Sequence, residues 1–193
     1  AKKYYELAGA LNNADAFFYL GHIYLYNKYF EIDIHKAMQY FERCYIIHCD
    51  NYIVSNKSDA SYITYYRKNN FHYQSCNDLG LIYLITFNDI NKATKYIKEA
   101  AFAEYSFGQN NLGLLNQFYL KNIAYAEYMY QKSARNNFPL AYFNLAQIKE
   151  KNGNIKESIE FYIQASNNIN EPLLFHNNIH FDYLYYTSKK FIM

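Results

Sequence analysis

The chain has 193 residues, is 51% hydrophobic, and carries 19 Lys plus Arg against 17 Asp plus Glu, for a formal charge of +2. This length suits one domain or one stretch of a repeat array, and a half-apolar composition excludes a wholly disordered chain. The near-neutral balance gives no field to gather nucleic acid or an anionic membrane, and no apolar run approaches the roughly 18 residues of a membrane span.

The first predicted element covers residues 1–11, where Ala1, Tyr4-Tyr5 and Ala8 place a small residue, two large residues at +3 and +4, and a small residue at +7. Those offsets mark one face of an α-helix, read here as the second helix of a truncated repeat. Residues 12–48 form a full repeat. Its first helix carries Ala16, Leu20-Gly21 and Tyr24, and its second carries Ala37, Tyr40-Phe41 and Cys44. Residues 49–70 are an insertion. From the last small residue of a second helix to the next repeat Leu is 12 residues at Ala8–Leu20, Ala100–Leu112 and Ser133–Leu145, but 35 at Cys44–Leu79. The insertion is expected to extend the second helix to about Cys49, turn over Asn51–Ser58 and form a short helix over Ala60–Lys68. A degenerate extra half-repeat is the alternative.

The pattern resumes over 71–104 with Leu79-Gly80, Ala93, Tyr96-Ile97 and Ala100. It continues over 105–137 with Leu112-Gly113, Ala126, Met129-Tyr130 and Ser133, and over 138–170 with Leu145-Ala146, Ser158, Phe161-Tyr162 and Ala165. Pro139 and Pro172, also 33 residues apart, each open a helix at the position where Pro is tolerated. The second begins a degenerate C-terminal helix or cap over 171–193. Small residues at both ends of the second-helix face admit a close neighbour. Gly costs about 1 kcal/mol against Ala within a helix, so three Leu-Gly copies imply a partner helix that leaves no room for a side chain. The predicted fold is an all-α solenoid of antiparallel helix pairs.

The stretch Leu20, Gly21, Tyr24, Asp33, Lys36, Ala37, Tyr40 and Phe41 resembles a Sel-1-like repeat, a relative of the tetratricopeptide repeat with a longer inter-helix loop. Asn27, Tyr29 and Phe30 stand where that family's loop has Gly, Gly and Val. The next repeat keeps Leu79, Gly80, Tyr83, Asp89, Lys92, Ala93 and Tyr96 with a loop three residues shorter, and the later ones read almost as tetratricopeptide repeats. The resemblance implies a right-handed superhelix acting as an adaptor or scaffold, and such repeats also occur beside kinases or other catalytic domains. The chain has no initiator Met and starts within a second helix, so it is expected to be a segment of a longer protein.

The resemblance to tetratricopeptide arrays further implies that first helices line a concave face, at −5, −2, +2 and +5 from each repeat Leu. These positions are Asp15, Phe18, His22 and Leu25; Gln74, Asn77, Leu81 and Leu84; Phe107, Asn110, Leu114 and Gln117; and Leu140, Phe143, Gln147 and Glu150. None is Lys or Arg, which argues against a clamp for an acidic terminus. Amides mixed with apolar side chains suit an extended or helical peptide. The expected function is therefore a non-catalytic interaction module that binds a protein or peptide partner, with no nucleic acid, membrane, metal or cofactor. Substituting Phe18 and Phe143 by Ala is expected to weaken that partner without unfolding the chain. The alternatives are a regulatory region of a larger signalling enzyme such as a kinase and, with less support from the charge balance, an RNA-binding helical repeat.

Other chemistry is sparse. There is no G-x-G-x-x-G, and Gly108 and Gly113 have the spacing of a phosphate loop but lack its Lys. Neither a G-x-S-x-G elbow nor the kinase H-R-D and D-F-G motifs occur. Cys44, Cys49 and Cys76 follow no repeat spacing, which argues against a disulfide framework and for a reducing, cytoplasmic compartment. Cys44, His48 and Cys49 crowd one helix and cannot surround a zinc ion unaided. His176 and His180 lie i, i+4 but have Asn177 where a zinc protease needs Glu, so both read as surface histidines. The 25 Tyr and 15 Phe belong to a wider excess, since Tyr, Phe, Ile, Asn and Lys, all with A/T-rich codons, make 99 of the 193 residues.

Overall fold

The computed structural model describes residues 1–26, 32–55 and 71–168. Among them are nine α-helices and no strand. They are α1 (Lys2–Ala10), α2 (Ala14–Tyr26), α3 (Ile34–Ser55), α4 (Phe71–Ile85), α5 (Ile90–Phe102), α6 (Ser106–Phe118), α7 (Ile123–Arg135), α8 (Pro139–Lys151) and α9 (Ile155–Asn167). The even-numbered helices α2, α4, α6 and α8 carry the repeat Leu, and each packs on the helix that follows it. Here is an all-α repeat solenoid. The chain divides into two compact units, 1–133 and 134–193, the division falling near the end of α7.

The second helices α3, α5 and α7 start in the same way, while Asn154 before α9 makes no side-chain cap bond. Asp33, Asp89 and Asn122, four residues before Ala37, Ala93 and Ala126, accept a hydrogen bond on the side-chain oxygen from the backbone N–H of Lys36, Lys92 and Tyr125 at 2.9–3.0 Å. That N-cap satisfies a donor the helix itself cannot. The backbone N–H of the same cap residue donates back to the first helix, to the carbonyl four residues after the repeat Leu: Asp33 to Tyr24, Asp89 to Tyr83, Asn122 to Asn116, and in the last repeat Asn154 to Lys149. The turns need a left-handed residue, supplied by Asn12, Asn88, Glu104, Lys121, Asn137 and Gly153. Asn adopts that region more readily than most side chains, so three of the abundant Asn serve as turn residues.

In the first unit the core joins α2, α3 and α4 through Phe17, Phe18, Leu20, Ala37, Phe41, Cys44, Leu79 and Ile82. It continues over α4 to α7 through Leu84, Ala93, Ile97, Leu112, Leu115 and Met129. The small residues predicted to admit a neighbour, from Ala37 and Cys44 through Ala93, Ala100, Ala126, Ser133 and Ser158 to Ala165, are all buried. A Cβ built on Gly21, Gly80 or Gly113 would overlap the large residue of the paired second helix, Phe41, Ile97 or Tyr130. The second unit packs α8 on α9 around Ala141, Leu145, Ala146, Ser158 and Ala165, with Tyr142 against Phe161 and Phe143 edge-on to Tyr162.

Two expectations need correction. Helix α3 runs to Ser55, through the turn expected from Asn51 and beyond the stop expected at Cys49. The reason is local: no Gly or Pro lies between Phe41 and Ser55 to end it. Tyr4 was placed at a helix-packing position yet is 76% exposed, on a side of α1 that none of the described helices covers. The loop residues Asn27, Tyr29 and Phe30, the Ala60–Lys68 helix, the cap from Pro172, and His176 and His180 lie outside the described residues.

Candidate binding face on the first helices

The first helices of the first unit are joined directly by polar side chains that are buried, save half-buried His22. His22 on α2 places Nε2 3.0 Å from Oδ2 of Asp78 on α4, whose carboxylate is buried. Beside it the Asn77 amide donates to Asp78 Oδ1 at 3.4 Å. Asn111 on α6 donates its amide to Asn77 Oδ1 at 2.7 Å. The Tyr105 phenol, next to the start of α6, is held far above its ordinary pKa by burial and by the Asp78 carboxylate. Buried polar groups are costly unless paired, so this ladder fixes the register of α2, α4 and α6. Sequence reading listed His22 and Asn77 but missed Asp78 and Asn111, the positions just before the repeat Leu. Their recurrence at −1 was the available signal.

The structure sorts the expected site residues into two groups. Phe18, Asn77 and Asn110, all at −2, are buried, as are Leu81 and Leu84. Phe18 sits between the rings of Phe71, at 4.7 Å, and His22, at 4.4 Å, with Phe41 at 6.1 Å. The expected use of Phe18→Ala as a surface probe is therefore corrected, because the substitution opens a core cavity. Asn77 and Asn110 likewise belong to the interior.

Asp15, His22, Leu25, Gln74, Phe107, Leu114 and Gln117 stay partly exposed in the first unit. Besides His22 in the ladder, two of these carry structural duties as well. Gln117 Oε1 accepts a hydrogen bond from the buried Tyr130 hydroxyl at 2.7 Å, and Asp15 Oδ1 lies 3.7 Å from His48 Nε2. Phe107 stacks on Tyr105 at 5.2 Å. In the second unit, on α8, Phe143 is 42% exposed and Gln147 partly so. Glu150 accepts a hydrogen bond from the Tyr162 hydroxyl at 2.8 Å, which with burial pushes that phenol up to about 12.

Among the described residues no helix is long and apolar enough to cross a membrane. Cys44 and Cys76 are buried thiols, and burial pushes the Cys44 thiol up to about 12.

A tetratricopeptide repeat family model matches residues 140–167. No curated protein matches the chain by sequence. Among solved structures, a Sel1 repeat protein from Oxalobacter formigenes is similar, with a TM-score of 0.62 and 16% identity over 90% of this chain and 66% of that one. A protective antigen of uropathogenic Escherichia coli with an SLR fold gives a TM-score of 0.58 and 16% identity over 86% of this chain and 33% of its own. MamA gives a TM-score of 0.55 and 16% identity over 86% of this chain and 85% of that one. The chain thus spans a third of the antigen and just under two thirds of the Oxalobacter protein. At such identity the likeness is one of fold, and that fold is the Sel1-like and tetratricopeptide-like helical-repeat solenoid.

Proposed function

We propose that the chain is a non-catalytic interaction module that binds a protein or peptide segment along its row of first helices, the concave face in related tetratricopeptide arrays, in a reducing, cytoplasmic setting. The observation that carries this reading is the ladder His22–Asp78 and Asn77–Asn111, buried except at half-buried His22, which ties three successive first helices to one another. A face held rigid before binding loses less conformational freedom when a partner arrives. The partly exposed positions beside the ladder, Gln74, Phe107, Leu114 and Gln117, offer amides for a partner's backbone and apolar surface for its side chains. In the second unit Phe143 and Gln147 offer the same chemistry.

The test uses peptides selected from a random library against the intact chain. Gln74→Ala combined with Phe107→Ala should weaken the selected peptides about tenfold or more, which corresponds to roughly 1.4 kcal/mol. Lys95→Ala with Lys98→Ala, at exposed positions on α5, should leave affinity unchanged. Circular dichroism confirms that each variant is folded. Undiminished affinity in a folded Gln74/Phe107 double variant sinks the proposal.

A further inference from the structure

Outside the ladder, the described residues bring together one group of side chains with metal-ligand chemistry. His72 and Cys76, one turn apart on α4, face Glu99 on α5, and one ligand atom from each lies within 4.8 Å of the others. His72 Nε2 is 3.1 Å from Glu99 Oε1 and 3.9 Å from Cys76 Sγ. A tetrahedral zinc ion, bound at about 2.0–2.1 Å to N or O and about 2.3 Å to S, places its N and O ligands about 3.4 Å apart and its N and S ligands about 3.6 Å apart. These two separations are reached by side-chain shifts of a few tenths of an ångström, and the third pair, Cys76 Sγ and Glu99, which lies within 4.8 Å, closes to the about 3.6 Å of tetrahedral S and O ligands by a movement of roughly an ångström at the half-exposed Glu99 side chain. A thiolate, a carboxylate and a neutral imidazole sum to two negative charges, which match a divalent ion, and sulfur with imidazole selects a soft one such as Zn²⁺.

The surroundings hold the ligands in place. Tyr45 on α3 stacks on the His72 ring at 5.1 Å and fixes its plane. His48 walls the same side, its ring 5.7 Å from that of His72. Cys76 is wholly buried, whereas the side chains of His72 and Glu99 are 14% and 33% exposed and leave a route from solvent.

We infer that His72, Cys76 and Glu99 form a zinc-binding site that clips α4 to α5, with the fourth position open to water. From the sequence no metal was expected, since Cys44, His48 and Cys49 crowd one helix and cannot surround a zinc ion unaided. The trio here is assembled across a helix hairpin, with His72 and Glu99 27 residues apart.

Cobalt(II), the spectroscopic probe for zinc sites, tests this on the full chain. One equivalent should give a thiolate-to-cobalt charge-transfer band and tetrahedral visible bands, and zinc should displace them and raise Tm. Cys76→Ser should abolish the charge-transfer band. His72→Gln and Glu99→Gln should each weaken zinc by at least the roughly 10–100-fold that loss of an outer-sphere partner costs. Cys44→Ser, whose thiol lies outside the trio, should keep both band and affinity. No band in the unmodified chain, or a band that survives Cys76→Ser, overturns the site. If Cys76→Ser or His72→Gln does not fold, Glu99→Gln at the half-exposed rim decides the matter, and undiminished zinc affinity in that folded variant also overturns the site.

Discussion

Gly113 shows how much of the array rests on single residues. Its missing side chain lets α6 meet the ring of Tyr130, which is wholly buried and tied by its hydroxyl to Gln117. The ring has nowhere to move, so a methyl group at residue 113 forces the two helices apart. Ala is the better helix former by about 1 kcal/mol, yet overpacking a full core costs about 1–3 kcal/mol. Gly113→Ala is therefore expected to lower stability on balance, read as a fall in the urea midpoint at unchanged slope. A stabilised Gly113→Ala protein would mean that Tyr130 has room the structure does not give it. The last repeat makes the complementary point, since Ala146 occupies the corresponding place and is buried there.

At the scale of elements, the cap bonds join the two helices of a repeat while the polar ladder joins one repeat to the next. Removing one partner from a buried hydrogen bond strands the other, at about 1–3 kcal/mol, whereas replacing both by apolar residues of similar shape is nearly neutral. Asn77→Leu and Asn111→Leu are each expected to destabilise, and the double variant by less than their sum. A double-mutant cycle from chemical denaturation should return a coupling of about 0.5–3 kcal/mol. Additive losses would show that the 2.7 Å bond between them does not fix the register of α4 and α6. Asp78 is the ladder's most demanding member, because its carboxylate is buried and faces both His22 and Asn77.

For the whole molecule, charge is the property most open to measurement. A net charge of +2, with no Lys or Arg at the sixteen positions expected to line the first-helix face, leaves little to neutralise a phosphate backbone. Filter binding to single-stranded RNA at two salt concentrations is expected to show only weak binding without the steep salt dependence of a protein that makes six or more phosphate contacts, about 10³-fold or more between 50 and 200 mM. Tight, steeply salt-dependent binding would move the functional reading from proteins to nucleic acid.

The repeat was legible because its demands are local and periodic. A small residue, two large ones and another small one at +7 describe one helix face, and Ala37, Ala93, Ala126 and Ser158 stand where that pattern puts them, all buried. The caps at Asp33, Asp89 and Asn122 and the opening Pro139 are likewise short-range chemistry. The candidate site was only half legible. First helices are enclosed on more than one side, and α4 buries every residue from Ser75 to Ile82, so no periodicity tells its interior from its surface. That enclosure took Phe18, Asn77 and Asn110 out of the expected face. It also brought His22 to Asp78, and Glu99 to His72 and Cys76. The sequence by itself determined the helices, their pairing and their spacing, since these follow from contacts within about 33 residues. Tertiary structure alone decided which polar groups meet, because those meetings depend on how neighbouring helices lie against one another.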